Sequence, residues 1–143
     1  MTKIYTAGKM SGLTFDQQMN WRNKVEVELR QRTDKPLTFL HPPMFYNYEH
    51  NHHHTEAEVK RWELNQLRTC DIVVVDLNGI ESTIGTHYEL SFVDAMNMFG
   101  NKHIYAIGIG SVRGTHPWIA LSMHRVEPTI EDACDYIVKY LLL

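Results

Sequence analysis

The chain has 143 residues, of which 43% are hydrophobic and 22% are charged, proportions typical of a globular protein with one sizeable core. Its net charge of -3 and its pI near 6.3 argue against a broad contact with nucleic acid, which usually requires a basic surface. No stretch approaches membrane-spanning length, and the first residues lack the apolar run of a signal peptide. We therefore expect a cytoplasmic protein with no membrane contact that forms one domain, residues 1–143.

The first half of the chain alternates β-rich segments with segments of helical periodicity. Two helices are expected to begin with capping boxes, Thr14 with Gln17 and Thr55 with Glu58. In chain order we predict a strand over 3–7, a small-residue turn over 8–12, a helix from 14 to about 32, a strand over 36–40, a loop over 44–54 and a helix from 55 to about 69.

The second half continues the alternation. The run over 71–76 is β-branched without interruption, as in strands that are buried on both faces. It is followed by a loop over 77–84, a helix through Tyr88 and Met96, a strand over 102–107 ended by glycines, a glycine- and proline-rich loop, a short helical turn, a short strand near 124–126 and a last helix from Thr129.

Strands that alternate with helices of this length predict an α/β fold. Right-handed crossovers give a doubly wound, mostly parallel sheet of five strands with helices on both faces, of the flavodoxin or Rossmann type. Ligands of such sheets bind beyond the carboxyl ends of the strands, near a topological switch point. The segments 8–12, 77–85 and 108–117 lie at that edge, where we expect the functional site.

Two segments at this edge carry a resemblance. They are GKMSG at 8–12 and ESTIGTHYEL at 81–90, which accompany the strand DIVVVD at 71–76 and the upstream ELNQL at 63–67. In this order they resemble the nucleoside 2-deoxyribosyltransferase superfamily, which includes nucleoside monophosphate N-glycosidases. The resemblance extends from residue 3 to about residue 107. It implies cleavage of the N-glycosidic bond of a (deoxy)nucleoside or its 5′-monophosphate, with transfer to another base or to water.

Glu89 matches the family's nucleophile, which attacks the anomeric carbon and forms a glycosyl-enzyme intermediate. A carboxylate suits this role because it stabilises oxocarbenium charge and then bonds to the carbon. The spacing of Thr86 and Glu89 also fits a capping box. On that alternative Glu89 would only bond the backbone where a helix begins.

Two further residues have catalytic roles by resemblance. Tyr5 matches a tyrosine on the first strand that hydrogen-bonds the nucleophile; the alternative is a core aromatic. Glu63 stands where the family usually has an aspartate that contacts the base and helps to protonate it as it leaves. Glutamate is one methylene longer than aspartate, and a solvated helix acid is the alternative for this position.

The glycosidases of this group hold phosphate with the first glycine-rich turn and with a hydroxyl six residues before the nucleophile. The corresponding substrate-binding residues here are Gly8, Lys9, Ser11, Thr83 and Gly85. The family's glycosidases often have arginine at the position of Ser11, and its transferases have an acid at that of Thr83. A polar turn without a ligand is the alternative.

Two acids flank the strand at 71–76. Asp76, at its carboxyl end, is expected to meet the sugar or to order the loop that follows, and Asp71 is expected to be a strand-start acid. Arg113 or Arg22 would complete a phosphate clamp if either reaches the turn.

We expect neither a cofactor nor a metal. The histidines at 50 and 52–54 lack the rigid spacing of a tetrahedral metal site, and they are expected in a surface loop with Tyr46 and Tyr48. Cys70 and Cys134 have no CxxC spacing and are expected to be buried free thiols.

The predicted partner is a small nucleoside or nucleotide, and the resemblance implies a homo-oligomer. A different class of function stays open: a non-catalytic module that binds or sequesters nucleotides on the same scaffold. A metal-dependent phosphohydrolase built on Asp71, Asp76 and the histidines is a third possibility.

Overall fold

The computed structural model describes residues 1–46, 55–100 and 102–143. Its centre is a sheet of five strands, all parallel, in the order β2-β1-β3-β4-β5. The strands are β1 (Thr2–Ala7), β2 (Leu37–Leu40), β3 (Ile72–Asp76), β4 (Tyr105–Ile109) and β5 (Arg125–Glu127). The predicted doubly wound α/β fold is confirmed.

Five α-helices connect and cover the strands. They are α1 (Phe15–Arg32), α2 (Glu56–Thr69), α3 (Ile84–Phe99), α4 (Pro117–Ser122) and α5 (Ile130–Tyr136). Short 3₁₀ turns lie at Pro42–Met44 and Ile80–Ser82, and a π-helical turn at Ile137–Leu141 follows α5. No helix among the described residues is long and apolar enough to cross a membrane.

The helices cover both faces of the sheet, because alternate residues of each strand point to opposite sides. One core joins Tyr5, Val73 and Ala106 to apolar residues of α2, α3 and α4. The other joins Ile4 and Val74 to residues of α1 and α5. Cys70 belongs to the first core and Cys134 to the second; both are free and buried, as predicted.

Threonine caps set the start of three helices. Thr14 and Gln17 form the predicted capping box of α1. Thr55 accepts a hydrogen bond from the amide of Glu58, and Thr129 accepts one from the amide of Asp132. Each cap satisfies one of the amides that a helix start leaves unpaired.

The prediction for the fourth strand was wrong in its bounds. We expected residues 102–107 with glycines ending the strand, but β4 begins at Tyr105 and continues through Gly108 to Ile109. A Cβ atom at position 108 would lie 2.8 Å from Leu77 Cδ1 and 3.1 Å from Met123 Sδ. Gly108 therefore serves close packing within the strand and does not end it.

The strand order places a topological switch point between β1 and β3. From β1 the chain moves to β2 on one side, and from β3 it moves to β4 and β5 on the other. The turn that follows β1 and the loop that follows β3 therefore separate at their carboxyl ends. Such a gap is where ligands of open α/β sheets bind.

Candidate active site

A cavity of about 570 Å3 opens at this switch point, within the usual size of small-molecule sites. The turn after β1, the helix α2 and the start of α3 form its walls. The residues that line it are Gly8, Lys9, Met10, Ser11, Gln18, Tyr46, Glu56, Val59, Lys60, Glu63, Leu64, Ser82, Thr83, Ile84, Gly85, Thr86, Tyr88 and Glu89.

Most of the residues that the sequence indicated meet in this cavity. Those that line it are Gly8, Lys9, Ser11, Glu63, Thr83, Gly85 and Glu89. Tyr5 lies beneath it on β1 and has no exposed surface. Asp76 is not among the lining residues.

Glu89 is a buried carboxyl inside α3. The helix begins at Ile84 with Thr83 as its N-cap residue, so Thr86 is already helical and Glu89 lies in the second turn. The capping-box alternative for Glu89 is therefore wrong. Its side chain is 9% exposed, and Oε2 has no hydrogen-bond partner among the described residues.

Glu89 and Glu63 form an electrostatically coupled pair. Burial, and after it the charge of Glu63, raise the pKa of Glu89 to about 8, against the opposing effects of Tyr5 and Arg22. Burial also raises the pKa of Glu63 to about 7, against the effect of Arg22. Two carboxyls in one poorly solvated site cannot both ionise easily, so near neutral pH the pair shares a proton.

Tyr5 is adjacent to Glu89 without an aligned hydrogen bond. The pKa of the phenol is raised well above its ordinary value by burial and by Glu89, which also acts through a hydrogen-bonding interaction. Neither the Tyr5 hydroxyl nor Glu89 Oε2 has an aligned hydrogen-bond partner among the described residues. The two groups are therefore neighbours that interact electrostatically.

Arg22 is a fully buried cation beside this pair. Its guanidinium donates to the carbonyl of Gln18 and, at 3.2 Å, to that of Gly8, and it lies 4.6 Å from the centre of the Trp21 ring. Burial lowers the pKa of Arg22 to about 10, whereas Glu89 and Tyr5 raise it. Arg22 does not line the cavity; it holds the turn and compensates buried carboxyls rather than clamping a phosphate.

The residues predicted to bind phosphate differ in the donors that they have free. Lys9 and Ser11 line the cavity, and no hydrogen bond or ion pair joins either side chain to another described residue. Thr83 Oγ1 donates to the carbonyl of Gly79 at 2.9 Å. A hydroxyl has one hydrogen, so in this rotamer Thr83 has no donor left for a phosphate.

The two aspartates that flank β3 have structural partners. Asp76 Oδ1 accepts from the amide of Asn78 at 3.0 Å, which orders the loop after the strand. Asp71 Oδ2 accepts from the amide of Lys3 at 2.8 Å, and Lys102 lies 3.3 Å from Oδ1. Asp71 is thus a strand-start acid at the opposite edge of the sheet, as predicted, and is remote from the cavity.

Sequence reasoning missed two polar residues of the cavity. Gln18 is 2% exposed and Thr86 is 1% exposed, and Gln18 Oε1 and Thr86 Oγ1 have no partner in the described part of the chain. Gln18 shares a helix face with Arg22, Val25 and Leu29, all of which are buried. The sequence signal that could have identified Gln18 is its helical spacing from apolar residues on the buried face of α1.

The remaining candidates are Tyr46, Tyr48, the histidines at 50 and 52–54, and Arg113. Tyr46 lines the cavity and donates to Glu56 Oε1, whereas Tyr48 and the histidines at 50 and 52–54 lie outside the described residues. The exposed Arg113 does not reach the cavity. Within the described ranges, no three His, Cys, Asp or Glu side chains are grouped to hold a metal.

Comparisons with known proteins agree with the fold. Neither a protein-family model nor a curated protein matches the sequence. A structure of the Clostridium botulinum CMP N-glycosidase BcmB has a TM-score of 0.63 and 12% identity over 98% of this chain and 100% of that one. A 2-deoxyribosyltransferase from Leishmania mexicana has a TM-score of 0.63 and 17% identity over 99% of each chain. The chain therefore shares the fold of these two enzymes, which is the fold that the resemblance to the nucleoside 2-deoxyribosyltransferase superfamily predicted.

Proposed function

We propose that the protein cleaves the N-glycosidic bond of a nucleoside or its 5′-monophosphate through a covalent intermediate on Glu89. The observation that carries the proposal is the pair of carboxyls with raised pKa values, Glu89 and Glu63, in one cavity at the switch point. Perturbed carboxyls in a concave site are a signature of acid-base and nucleophilic catalysis.

The pair supplies the two charges that the reaction needs. Positive charge develops at the anomeric carbon and favours ionised Glu89, whereas electron density on the leaving base favours a proton on Glu63. The substrate therefore settles which carboxyl keeps the shared proton. Glu89 then bonds to the carbon as the base departs, and water or a second base displaces the glutamyl ester.

Tyr5 and Arg22 act beneath the nucleophile. The phenol of Tyr5 can donate to the carboxylate once aligned, and the charge of Arg22 favours its ionised form. Both effects oppose desolvation, which otherwise keeps Glu89 protonated. Tyr5 thus orients the nucleophile, and Arg22 acts through Glu89 as a positioning residue.

A 5′-monophosphate fits the cavity better than a bare nucleoside. Lys9 and Lys60 line it together with Ser11, and the first turn of α3 offers backbone amides at the positive end of a helix dipole. Gly85 lies in that turn, and a Cβ atom at this position would have no neighbouring atom within 4 Å. Lys9 and Ser11 are the residues that we assign to the phosphate.

The decisive experiment measures free base released from ribo- and deoxyribonucleoside 5′-monophosphates. We expect Glu89→Gln to lose at least about a thousandfold in rate, because the nucleophile is removed. Glu81→Gln changes an exposed carboxyl outside the cavity and is the matched control. Full activity in folded Glu89→Gln would refute the mechanism, and tight binding without product from the wild type would assign a binding module instead.

We also propose a homo-oligomer. Large apolar side chains of α3 and α4 are exposed, with Ile84 at 71%, Trp118 at 75% and Leu121 at 81%, and patches of this kind mark interaction surfaces. Light scattering of the purified protein tests this, with Trp118→Ser and Leu121→Ser expected to weaken the assembly. A monomeric wild type at micromolar concentration would contradict it.

A further inference from the structure

Gln18 holds its side-chain amide in one orientation. Its Nε2 atom donates to the carbonyl of Met10 at 2.9 Å and to the carbonyl of Leu13 at 3.1 Å. An amide nitrogen has two hydrogens, so both donors are used. The flipped amide would place its oxygen against two carbonyl oxygens, which excludes that orientation.

The fixed orientation leaves Gln18 Oε1 as a pure acceptor. The side chain is 2% exposed and lines the cavity, and Oε1 has no hydrogen-bond partner in the described part of the chain. Buried polar atoms in native proteins are nearly always paired, and an unpaired one requires a reason. An acceptor that is held rigidly in a ligand cavity requires a donor on the ligand.

The position of Gln18 identifies which part of a nucleotide carries that donor. Its backbone carbonyl accepts a hydrogen bond from the Arg22 guanidinium, which also binds the carbonyl of Gly8 and acts electrostatically on Glu89 and Tyr5. Gln18 thus lies between the turn after β1, to whose Met10 carbonyl its side chain donates, and Arg22, which interacts with the nucleophile. A sugar bonded to Glu89 would sit on this side of the cavity. Glu63, the residue assigned to the base, comes from a different wall, helix α2.

We propose that Gln18 is a specificity-determining residue whose Oε1 accepts a hydrogen bond from a hydroxyl of the substrate's sugar ring. The inference rests on the proposed function, because that function places a pentose against Glu89. A ring hydroxyl is a donor at C2′ or at C3′, and both positions have the same chemistry. A site that pairs a hydroxyl discriminates strongly against the analogue that lacks it, since its own polar atom is then left unpaired.

The test compares three sugars on one base. Ribonucleoside 5′-monophosphates are assayed beside their 2′-deoxy and 3′-deoxy counterparts, for each of the four common bases. We expect kcat/KM of the wild type to fall at least about tenfold for one of the two deoxy sugars. That sugar identifies the hydroxyl that Gln18 binds.

Gln18→Met then removes the acceptor at nearly constant volume. This variant also loses the hydrogen bonds to Met10 and Leu13, which affects every substrate alike. The quantity to compare is therefore the ratio of kcat/KM between hydroxyl and deoxy substrates, and not the absolute rate. We expect this ratio to fall below its wild-type value. Gln31→Met changes an exposed glutamine of the same helix and should leave the ratio at its wild-type value.

Calorimetric binding of the same compounds to Glu89→Gln separates this inference from the proposed function. Suppose that binding prefers the hydroxyl sugar, that Gln18→Met abolishes this preference, and that the wild type cleaves no compound. That result would support the sugar contact and refute the proposed enzymatic function. Cleavage with a ratio unchanged by Gln18→Met would overturn the sugar contact alone. Absence of both binding and cleavage for every compound would overturn both.

Discussion

Several of the buried polar atoms that have no partner in the described part of the chain lie around one cavity. Gln18 Oε1, Thr86 Oγ1 and Glu89 Oε2 belong to residues that line it, and the Tyr5 hydroxyl lies just beneath. Each such atom costs about 1–3 kcal/mol when it has no partner. Unpaired polar atoms that are concentrated in one cavity lower the stability of the fold there. Their concentration indicates that these polar groups are arranged to bind a ligand.

Thr86 offers a direct test of this stability cost. Thr86→Val removes an unpaired hydroxyl at constant shape, so we expect the free energy of unfolding to rise by about 1 kcal/mol while kcat/KM falls. Thermal unfolding and the release of free base measure the two effects.

Thr6→Val is the matched control for that prediction. Thr6 is equally buried, but its Oγ1 donates to the carbonyl of Leu40 and lies 2.8 Å from His41 Nδ1. The same substitution should therefore destabilise the protein at position 6. Stabilisation at both positions, or at neither, would contradict the distinction between paired and unpaired hydroxyls.

Glu63 is tested by the pH dependence of the rate. A general acid must be protonated, so activity should decline as pH rises through the raised pKa of the pair. Glu63→Gln cannot donate a proton and should lose about a hundredfold in kcat, together with the alkaline decline. Glu58→Gln, on the same helix but outside the cavity, should retain both; an unaltered profile in Glu63→Gln would remove it from catalysis.

At the scale of elements, the junction of β1 and α1 depends on a close approach at Gly8. A Cβ atom there would lie 2.9 Å from Trp21 Cζ2 and 3.2 Å from Asp76 Cβ. The indole ring is rigid, so Gly8→Ala must displace it or the turn. We expect a loss of about 1–3 kcal/mol in the free energy of unfolding, as for overpacked cores.

Gly85→Ala serves as the opposite case. No atom lies within 4 Å of a Cβ at position 85, which is inside α3. Alanine is the better helix former, and the variant should gain about 0.5–1 kcal/mol. Urea unfolding of both variants measures the two free energies of unfolding. Similar losses in both variants would contradict the contrast between a crowded position 8 and an open position 85.

Local signals explain why most elements were predictable. The pairs Thr14–Gln17 and Thr55–Glu58 marked helix starts, and the β-branched run of β3 marked a strand buried on both faces. The predicted loop over 77–84 placed the start of α3 closely, although the Thr86–Glu89 spacing imitates a capping box within the helix. The actual N-cap, Thr83, makes no side-chain cap bond and so has no such signature.

At the scale of the whole molecule, the order of the strands brings segments that are distant in the sequence together in one site. Parallel alternation predicted that the segments after β1 and β3 share an edge, and this is where Lys9 and Glu89 meet. Burial was not predictable in the same way. Gln18 and Arg22 appear polar in the sequence, and only the packing of α1 on the sheet encloses them.

The same enclosure makes global stability depend on pH. The pKa of Glu89 is raised from 4.5 to about 8 by burial and by Glu63. Between these values the unfolded chain releases a proton that the folded protein retains, so the unfolded state binds fewer protons. Stability therefore falls as pH rises through this interval, and the loss is complete above about pH 8.

Glu89→Gln removes this contribution together with the coupling of Glu89 to Glu63, because glutamine does not titrate, whereas groups that are not coupled to Glu89 are unchanged. Burial lowers the pKa of His41, so this residue destabilises the fold as pH falls below the pKa of an unfolded histidine, near 6.5. His41 is present in the wild type and in the variant, so its effect cancels when their free energies of unfolding are subtracted. We expect the variant's advantage in the free energy of unfolding to grow by more than about 1 kcal/mol between pH 5 and pH 8. Urea unfolding at both pH values measures it, with Glu81→Gln as control. A difference that stays constant with pH would mean that Glu89 is ionised in the folded protein as readily as in water, and the shared proton on which the proposed mechanism depends would be lost.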